Sequence, residues 1–271
     1  MLTAVTGTAD HVLRNRAAWD RWAADYAGPG LRRWAAAEPS WGLWDIPEAQ
    51  VGLLPADVAG RDSIELGCGT GYISAWLARR GARSAGLDNS AAQLATARQL
   101  QDRFGLRFPL VHASAERVPF ADASFDLVCS RYSAHHWYDV PRALAQLRRV
   151  VRPDGFVLII DLLGDDEPLV DTYLQSIELL RDTSHVRDRS VAEWQALLGT
   201  AGFDRLEHSV WNTRLEFAPW VERMRTPDGL VAAIRTLQAC APAEVQRALN
   251  IEADGSFTAR TGLFWGRPAI T

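Results

Sequence analysis

Glu65-Leu66-Gly67-Cys68-Gly69-Thr70-Gly71 is the stretch that decides the fold of this 271-residue chain. Ile64 and Leu66 close a buried strand. Gly67, Gly69 and Gly71 allow a tight turn with backbone close to a ligand, and Tyr72-Ile73-Ser74-Ala75-Trp76-Leu77-Ala78 reads as the helix that follows. Twenty-three residues after Glu65, the apolar run Ala85-Gly86-Leu87 ends in Asp88. A carboxylate at the tip of a second strand is placed to accept hydrogen bonds from a ribose diol. This much fits any nucleoside-containing ligand.

The turn departs from a dinucleotide fingerprint. Counted from Gly67, the last position of Gly-x-Gly-x-x-Gly falls on Tyr72, where a pyrophosphate needs a small residue and an open helix N-terminus. Glu65 adds a negative charge that repels a pyrophosphate; it can order the turn, or attract an ammonium directly or through water. Further segments follow in order: Val111-His112-Ala113 with Ser114-Ala115-Glu116, then Asp122 to Ser130, then Val150 to Asp161 with Asp154 and Gly155 in its turn.

With these motifs the chain resembles the class I S-adenosylmethionine-dependent methyltransferases, whose first motif is an acidic residue followed by Gly-x-Gly-x-Gly. It resembles most their small-molecule branch, of the kind that serves ubiquinone and menaquinone biosynthesis. The likeness runs from Glu65 to Asp161 and more loosely through Trp194 to Phe203. It implies an α/β fold, a doubly wound, mostly parallel seven-stranded Rossmann-like sheet, with S-adenosyl-L-methionine as cofactor. The backbone around Gly67 and Gly69 is then expected at the methionine end and Asp88 on the ribose. Ser114, Ala115 and Glu116 lie against the adenine, with Ser114 where the family often has Asp. Glu65, Cys68, Gly71, Asn89, Ser130 and Tyr26 complete the expected cofactor set.

A mass of 30.0 kDa and a hydrophobic fraction of 48% support a sizeable core and one catalytic domain. No apolar run reaches the roughly 20 residues of a membrane span, and Met1 to Gly7 lacks the pattern of a secretory signal. Three cysteines, Cys68, Cys129 and Cys240, indicate neither a disulfide framework nor a zinc cluster, so a cytoplasmic protein is expected. The net charge of -4 offers no general attraction to nucleic acid. Arg131, Arg142, Arg148, Arg149 and Arg152 read as a solvated helix surface, and a neutral small acceptor is the natural partner. Monomer and homodimer both remain open.

Residues 1–60 carry five of the 11 tryptophans, Trp19, Trp22, Trp34, Trp41 and Trp44, and read as an aromatic-rich helical cover with a helix over Asn15 to Tyr26. Residues 61–271 form the methyltransferase domain, with a helical insertion over about 213–251 before a last strand at Phe257 to Gly266. Phe217, Trp220, Val221 and Met224 lie at helical spacing and serve either as pocket wall or as core. Ser190 and Glu193 form a capping box.

His135 and His136 follow the fourth strand, where ligands of open α/β sheets lie, and an imidazole there can take a proton from a phenol or hydroxyl. Both are catalytic candidates, with His136 preferred; structural or cofactor-side roles are the alternative. His185 reads as a surface or capping residue. The six histidines make no metal pattern with nearby acids. The expected reaction is methyl transfer to oxygen or nitrogen of a hydrophobic, aromatic small molecule. A non-catalytic cofactor-binding regulator and an NAD-dependent oxidoreductase are the alternatives, the latter disfavoured by Tyr72.

Overall fold

The computed structural model describes residues 8–41, 46–52, 54 and 57–269. Trp44 and the Met1 to Gly7 segment lie outside the described residues. The sheet has seven strands: β1 Asp62–Leu66, β2 Arg83–Asp88, β3 Leu110–His112, β4 Phe125–Arg131, β5 Val151–Leu163, β6 Phe203–Leu215 and β7 Phe257–Pro268. Their order is β3-β2-β1-β4-β5-β7-β6. The first five run parallel, while β7 is antiparallel to both β5 and β6. The carboxyl ends of β1 to β6 therefore share one edge.

Alternation along β5 shows how the layers form. Val157 and Ile159 enter one apolar cluster with Leu144, Leu147, Trp194 and Phe264, while Phe156, Leu158 and Ile160 enter another with Trp34, Trp41, Tyr72 and Leu77. Period-two burial on both faces demands helices on both sides. These are α1 Asp10–Ala35, α2 Tyr72–Arg79, α3 Ala91–Phe104, α4 Val140–Val150, α5 Pro168–Arg181 and α6 Val191–Thr200. Ser90 caps α3, Asp139 caps α4, and Ser190 with Glu193 forms the expected capping box on α6.

The insertion before β7 is three short helices, α7 Phe217–Glu222, α8 Asp228–Cys240 and α9 Ala243–Ala248, because β6 continues to Leu215. They pack with α5 around Leu174, Ile177, Trp220, Ile234 and Phe257. Helix α1 is also longer than the Asn15 to Tyr26 segment and runs through Pro29. Contacts beyond the proline hold it: Trp34 Nε1 donates to the Thr70 carbonyl at 3.0 Å, and Arg79 donates to the Trp34 carbonyl at 2.6 Å. Trp34 and Trp41 are core residues rather than an outer cover, and Trp41 Nε1 is satisfied by Glu48. Among the described residues no helix is long and apolar enough to cross a membrane.

The glycine turn joins β1 to α2 under tight constraint. Gly67 has φ +66°, and a Cβ there would lie 1.9 Å from Ser133 Oγ. Gly60 has φ +75° with open space around it. Gly60→Ala therefore meets only the left-handed backbone penalty of roughly 1–2 kcal/mol, whereas Gly67→Ala adds overpacking of about 1–3 kcal/mol. Urea denaturation of the two variants should show that gap; equal losses would mean that Ser133 does not confine the turn.

Candidate functional site

A cavity of ≈ 200 Å³ lies along the carboxyl edge of the sheet. One half is walled by the tips of β1 to β3, through Gly67, Gly69, Asp88, Asn89, Ser114 and Glu116, with Cys68, Thr70, Gln93 and Ala115 beside them. The other half is walled by Tyr132, His135 and His136 beyond β4, by Leu162 of β5, and by Arg181, Asp182, Leu215, Trp220, Arg223 and Met224. Helix α1 closes the top with Asn15, Trp19, Tyr26 and Arg33.

Two carboxylates fix the first half. Glu65 is buried and does not line the cavity; its Oε2 accepts from Ser74 N at 2.8 Å and Ser74 Oγ at 2.7 Å. It orders the turn by satisfying the first turn of α2, and burial pushes its carboxyl up to about 7 against the pull of those bonds. Asp88 accepts from Gly69 N and from Ser90 N, each at 2.7 Å, so it joins the β2 tip to the turn while facing the cavity. Burial raises it too. Gly71, the residue before α2, and buried Ser130 on β4 lie outside the cavity wall.

Asn89 lines the cavity, yet its side chain holds α1: Arg16 donates to Oδ1 at 3.0 Å, and Nδ2 donates to the Val12 carbonyl at 3.1 Å. Asp20 of α1 accepts from Ser90 Oγ and Ala92 N at the start of α3. Glu116 accepts from the amides of Tyr138 and Asp139. Tyr26 packs edge-on against Trp19, and its hydroxyl contacts Met224 sulfur at 3.6 Å.

In the second half the two adjacent histidines are driven apart. Asp161, at the end of β5, takes His135 Nδ1 at 2.5 Å and the His135 amide at 3.0 Å. Burial opposes charge on His135, but Asp161 prevails and lifts it to about 9. His136 is lowered to about 4 by burial and by the His135 cation, against the pull of Asp182. Its Nδ1 faces the Ser184 carbonyl at 3.0 Å. A carbonyl only accepts, so Nδ1 carries the proton and Nε2 keeps its lone pair, 3.8 Å from Asp182. Near neutral pH His136 is therefore neutral, with a lone pair that can accept a proton from a bound group, while His135 already holds one.

Sequence reading missed several of these residues. His185 is buried rather than superficial: its Nε2 meets Gln175 at 3.1 Å, and burial with the two neighbouring histidines lowers it to about 2. Arg131 is not on a helix surface but in the cavity wall, its guanidinium 5.5 Å from the Tyr72 and Tyr132 rings. Arg148 and Arg149 donate to carbonyls, and Arg152 pairs with Asp62 and Asp126. Trp220 and Met224 reach the cavity, whereas Phe217 belongs to the helical core. Asp161, at the tip of a central strand, was detectable by position; Asp182 and Arg223 lie at helix ends with no motif around them. Among the described residues no group of acids, histidines and cysteines is arranged to hold a metal.

A family model described as "Methyltransferase domain" matches residues 64–159, from β1 to β5. YafE of Escherichia coli K12, an uncharacterized protein, is 42% identical over 175 residues, which is 65% of this chain and 82% of that protein. Methyltransferase GfsG of Streptomyces halstedii is 33% identical over 204 residues, 68% of this chain and 72% of its own length. The uncharacterized methyltransferase YcgJ of Bacillus subtilis is 30% identical over 167 residues, 60% of this chain and, at 65%, just under two thirds of that protein. Its crystal structure aligns with a TM-score of 0.78 at 26% identity, over 82% of this chain and 98% of that one. Helices α1, α5 and α7, which wall the second half of the cavity, fall outside the matched domain segment.

The His135 pair generates a stability test. Its folded value of about 9 lies above the ordinary 6.5, so the contribution is complete below about pH 6.5 and is lost as pH rises through about 9. Asp161→Asn should cost on the order of 3 kcal/mol at pH 6, with the gap to the parent closing by pH 10. Denaturant titrations across that range read it; a loss independent of pH would mean that the pair is not ionic.

Proposed function

The chain belongs to the class I S-adenosylmethionine-dependent methyltransferase family, and from that premise we propose that it methylates an oxygen or nitrogen of a small molecule with an apolar, aromatic body, with His136 as the proton acceptor. The observation that carries this reading is the neutral His136, which lines the half of the cavity opposite the glycine turn and keeps a free Nε2 lone pair.

The residues present fit the cofactor. A Cβ on Gly69 would meet nothing nearer than Gln93 Oε1 at 3.9 Å, so the backbone there stands open to the cavity. Among the described residues Gln93 Oε1 and Asn15 Nδ2 are buried without hydrogen-bond partners in the same wall, which suits a ligand rich in polar groups. We assign Gly67, Cys68 and Gly69 to the methionine end, Asp88 to the ribose hydroxyls, and Ser114, Ala115 and Glu116 to the adenine. Glu65, Gly71 and Ser130 act behind this surface, and Asn89 fastens α1 over it. Tyr26 is assigned to the seam between the two halves.

S-adenosylmethionine, when bound, supplies a methyl group already activated on a sulfonium, so the protein has to align a nucleophile, exclude water and accept a proton. Trp19 packs edge-on against His136 with ring centroids 5.2 Å apart, and with Tyr26 it shields the imidazole from bulk water. His136 Nε2 takes the nucleophile's proton at or after transfer. His135, held charged by Asp161, keeps His136 neutral and positions it through the loop above: the His135 carbonyl accepts from Val186 N at 2.8 Å and Arg187 N at 3.1 Å. The free thiols of Cys68, Cys129 and Cys240 suit a reducing, cytoplasmic setting.

Two measurements test this reading. Asp88→Ala should weaken S-adenosylhomocysteine binding by about 1.5–3 kcal/mol per lost hydrogen bond, read by calorimetry, while the rate at cofactor saturation changes less. Equal dissociation constants for variant and parent would remove Asp88 from the ribose. Because His136 titrates at about 4, kcat/KM for an acceptor found by mass-resolved screening should stay flat from pH 8 to about pH 5. An acidic limb between pH 6 and 7 that vanishes in His136→Ala would contradict the neutral-base assignment.

A further inference from the structure

The acceptor half of the cavity ends against two guanidinium groups: Arg181 pairs with Glu178, whereas Arg223 pairs with no carboxylate among the described residues. Arg181 Nε donates to the Trp220 carbonyl at 2.9 Å and Nη1 reaches Glu178 at 3.3 Å, but Nη2 is buried with no partner among the described residues. Arg223 Nε is likewise enclosed without a partner, and among the described residues no carboxylate is paired with this side chain. Both line the cavity, and Arg223 also lines a second cavity of ≈ 510 Å³ beyond it; Tyr26, Pro29, Arg33 and Trp220 are common to both.

Of the surrounding acids, Glu178 pairs with Arg181. Asp182 Oδ1 accepts from Ser184 N and Oγ, Asp25 pairs with Arg225, and Glu216 pairs with Arg214. Burial, with repulsion from Arg181 and Arg33 and against the pull of Tyr26 and Glu178, brings Arg223 down to about 10. An unpaired charge in such a place is costly unless a ligand completes it. Trp220, Met224, Leu162 and Leu215 supply apolar wall around the cations. This pairing of apolar wall and guanidinium is how proteins seat an oxyanion on an apolar body.

We propose that the acceptor carries an oxyanion, a carboxylate or a phosphate, seated on Arg223 with Arg181 behind it, so that the apolar body spans the cavity toward His136. This rests on the methyltransferase reading and replaces the neutral acceptor expected from net charge. The overall value of -4 carries no trace of Arg223, which lines the cavity.

The test uses the full chain saturated with S-adenosylhomocysteine and titrated with matched pairs: benzoate and benzamide, octanoate and octanamide, phenylphosphate and phenol. At least one anion should bind about tenfold or more tightly than its neutral partner, and Arg223→Met should abolish that preference while leaving S-adenosylhomocysteine affinity within about twofold. Arg223→Lys should restore part of it. Preference for benzoate or octanoate identifies a carboxylate, and preference for phenylphosphate identifies a phosphate. No anion preference in any pair, or a preference that survives in Arg223→Met, overturns the proposal. Loss of S-adenosylhomocysteine affinity in Arg223→Met also overturns it, by assigning the guanidinium to the cofactor. Failure of the parent protein to bind S-adenosylhomocysteine defeats the underlying reading instead, and this inference with it.

Discussion

The hydrogen bond from the Gly69 amide to Asp88 Oδ2, at 2.7 Å, is the contact on which the site depends, because it ties the β1 turn to the tip of β2. From the other side Glu65 holds the first turn of α2 through Ser74, and Ser133 closes over Gly67. The turn is thus clamped between three strands before any ligand arrives. Helix α1 is fastened to the same region by Arg16 on Asn89, Asp20 on Ser90 and Trp34 on Thr70. The roof of the cavity and its floor therefore share one anchorage. Such pre-organisation lowers the ordering cost of binding.

Across the cavity the organising principle is charge. Two histidines adjacent in sequence, with ring centroids 4.2 Å apart, are given opposite protonation states: Asp161 holds His135 charged, while burial and the His135 cation keep His136 neutral. Separating the proton affinities of neighbouring groups is a general way to assign acid and base roles within one site. The same half carries Arg181 and Arg223 on an apolar wall, so it is polarised as well as enclosed. The matched family segment, which ends in β5, includes Tyr132, His135 and His136 of this half, while Arg181, Asp182, Trp220, Arg223 and Met224 lie beyond it. The wall is where specificity is to be sought, consistent with function residing in sites grafted onto a shared fold.

The parallel core was legible because its signals are local. Gly67 to Gly71, Asp88 and the Ser190 to Glu193 cap each announce a turn or a helix start within a few residues. Tyr26, His135, His136, Asp88 and Ser114 to Glu116 do come together on one cavity. The failures were tertiary. Helix α1 runs past the expected Asn15 to Tyr26 and through Pro29, and contacts of Trp34 with Thr70 and Arg79 hold it there. His185 is buried because its loop is bonded to the His135 carbonyl. Arg131 and Arg223 were invisible as site residues, since nothing in their neighbours distinguishes a guanidinium in a cavity from one in solvent. Net charge summed over the whole chain gave no hint of where single guanidinium groups sit.

A crystal structure with S-adenosylhomocysteine bound measures the central claim most directly. The account requires the ribose hydroxyls within hydrogen-bond distance of Asp88, the homocysteine portion over Gly67 to Gly69, and the sulfur turned toward the half of the cavity that holds His136. An adenosine lodged among Trp220, Met224 and Arg223, with Asp88 still bound only to the Gly69 and Ser90 amides, would contradict it.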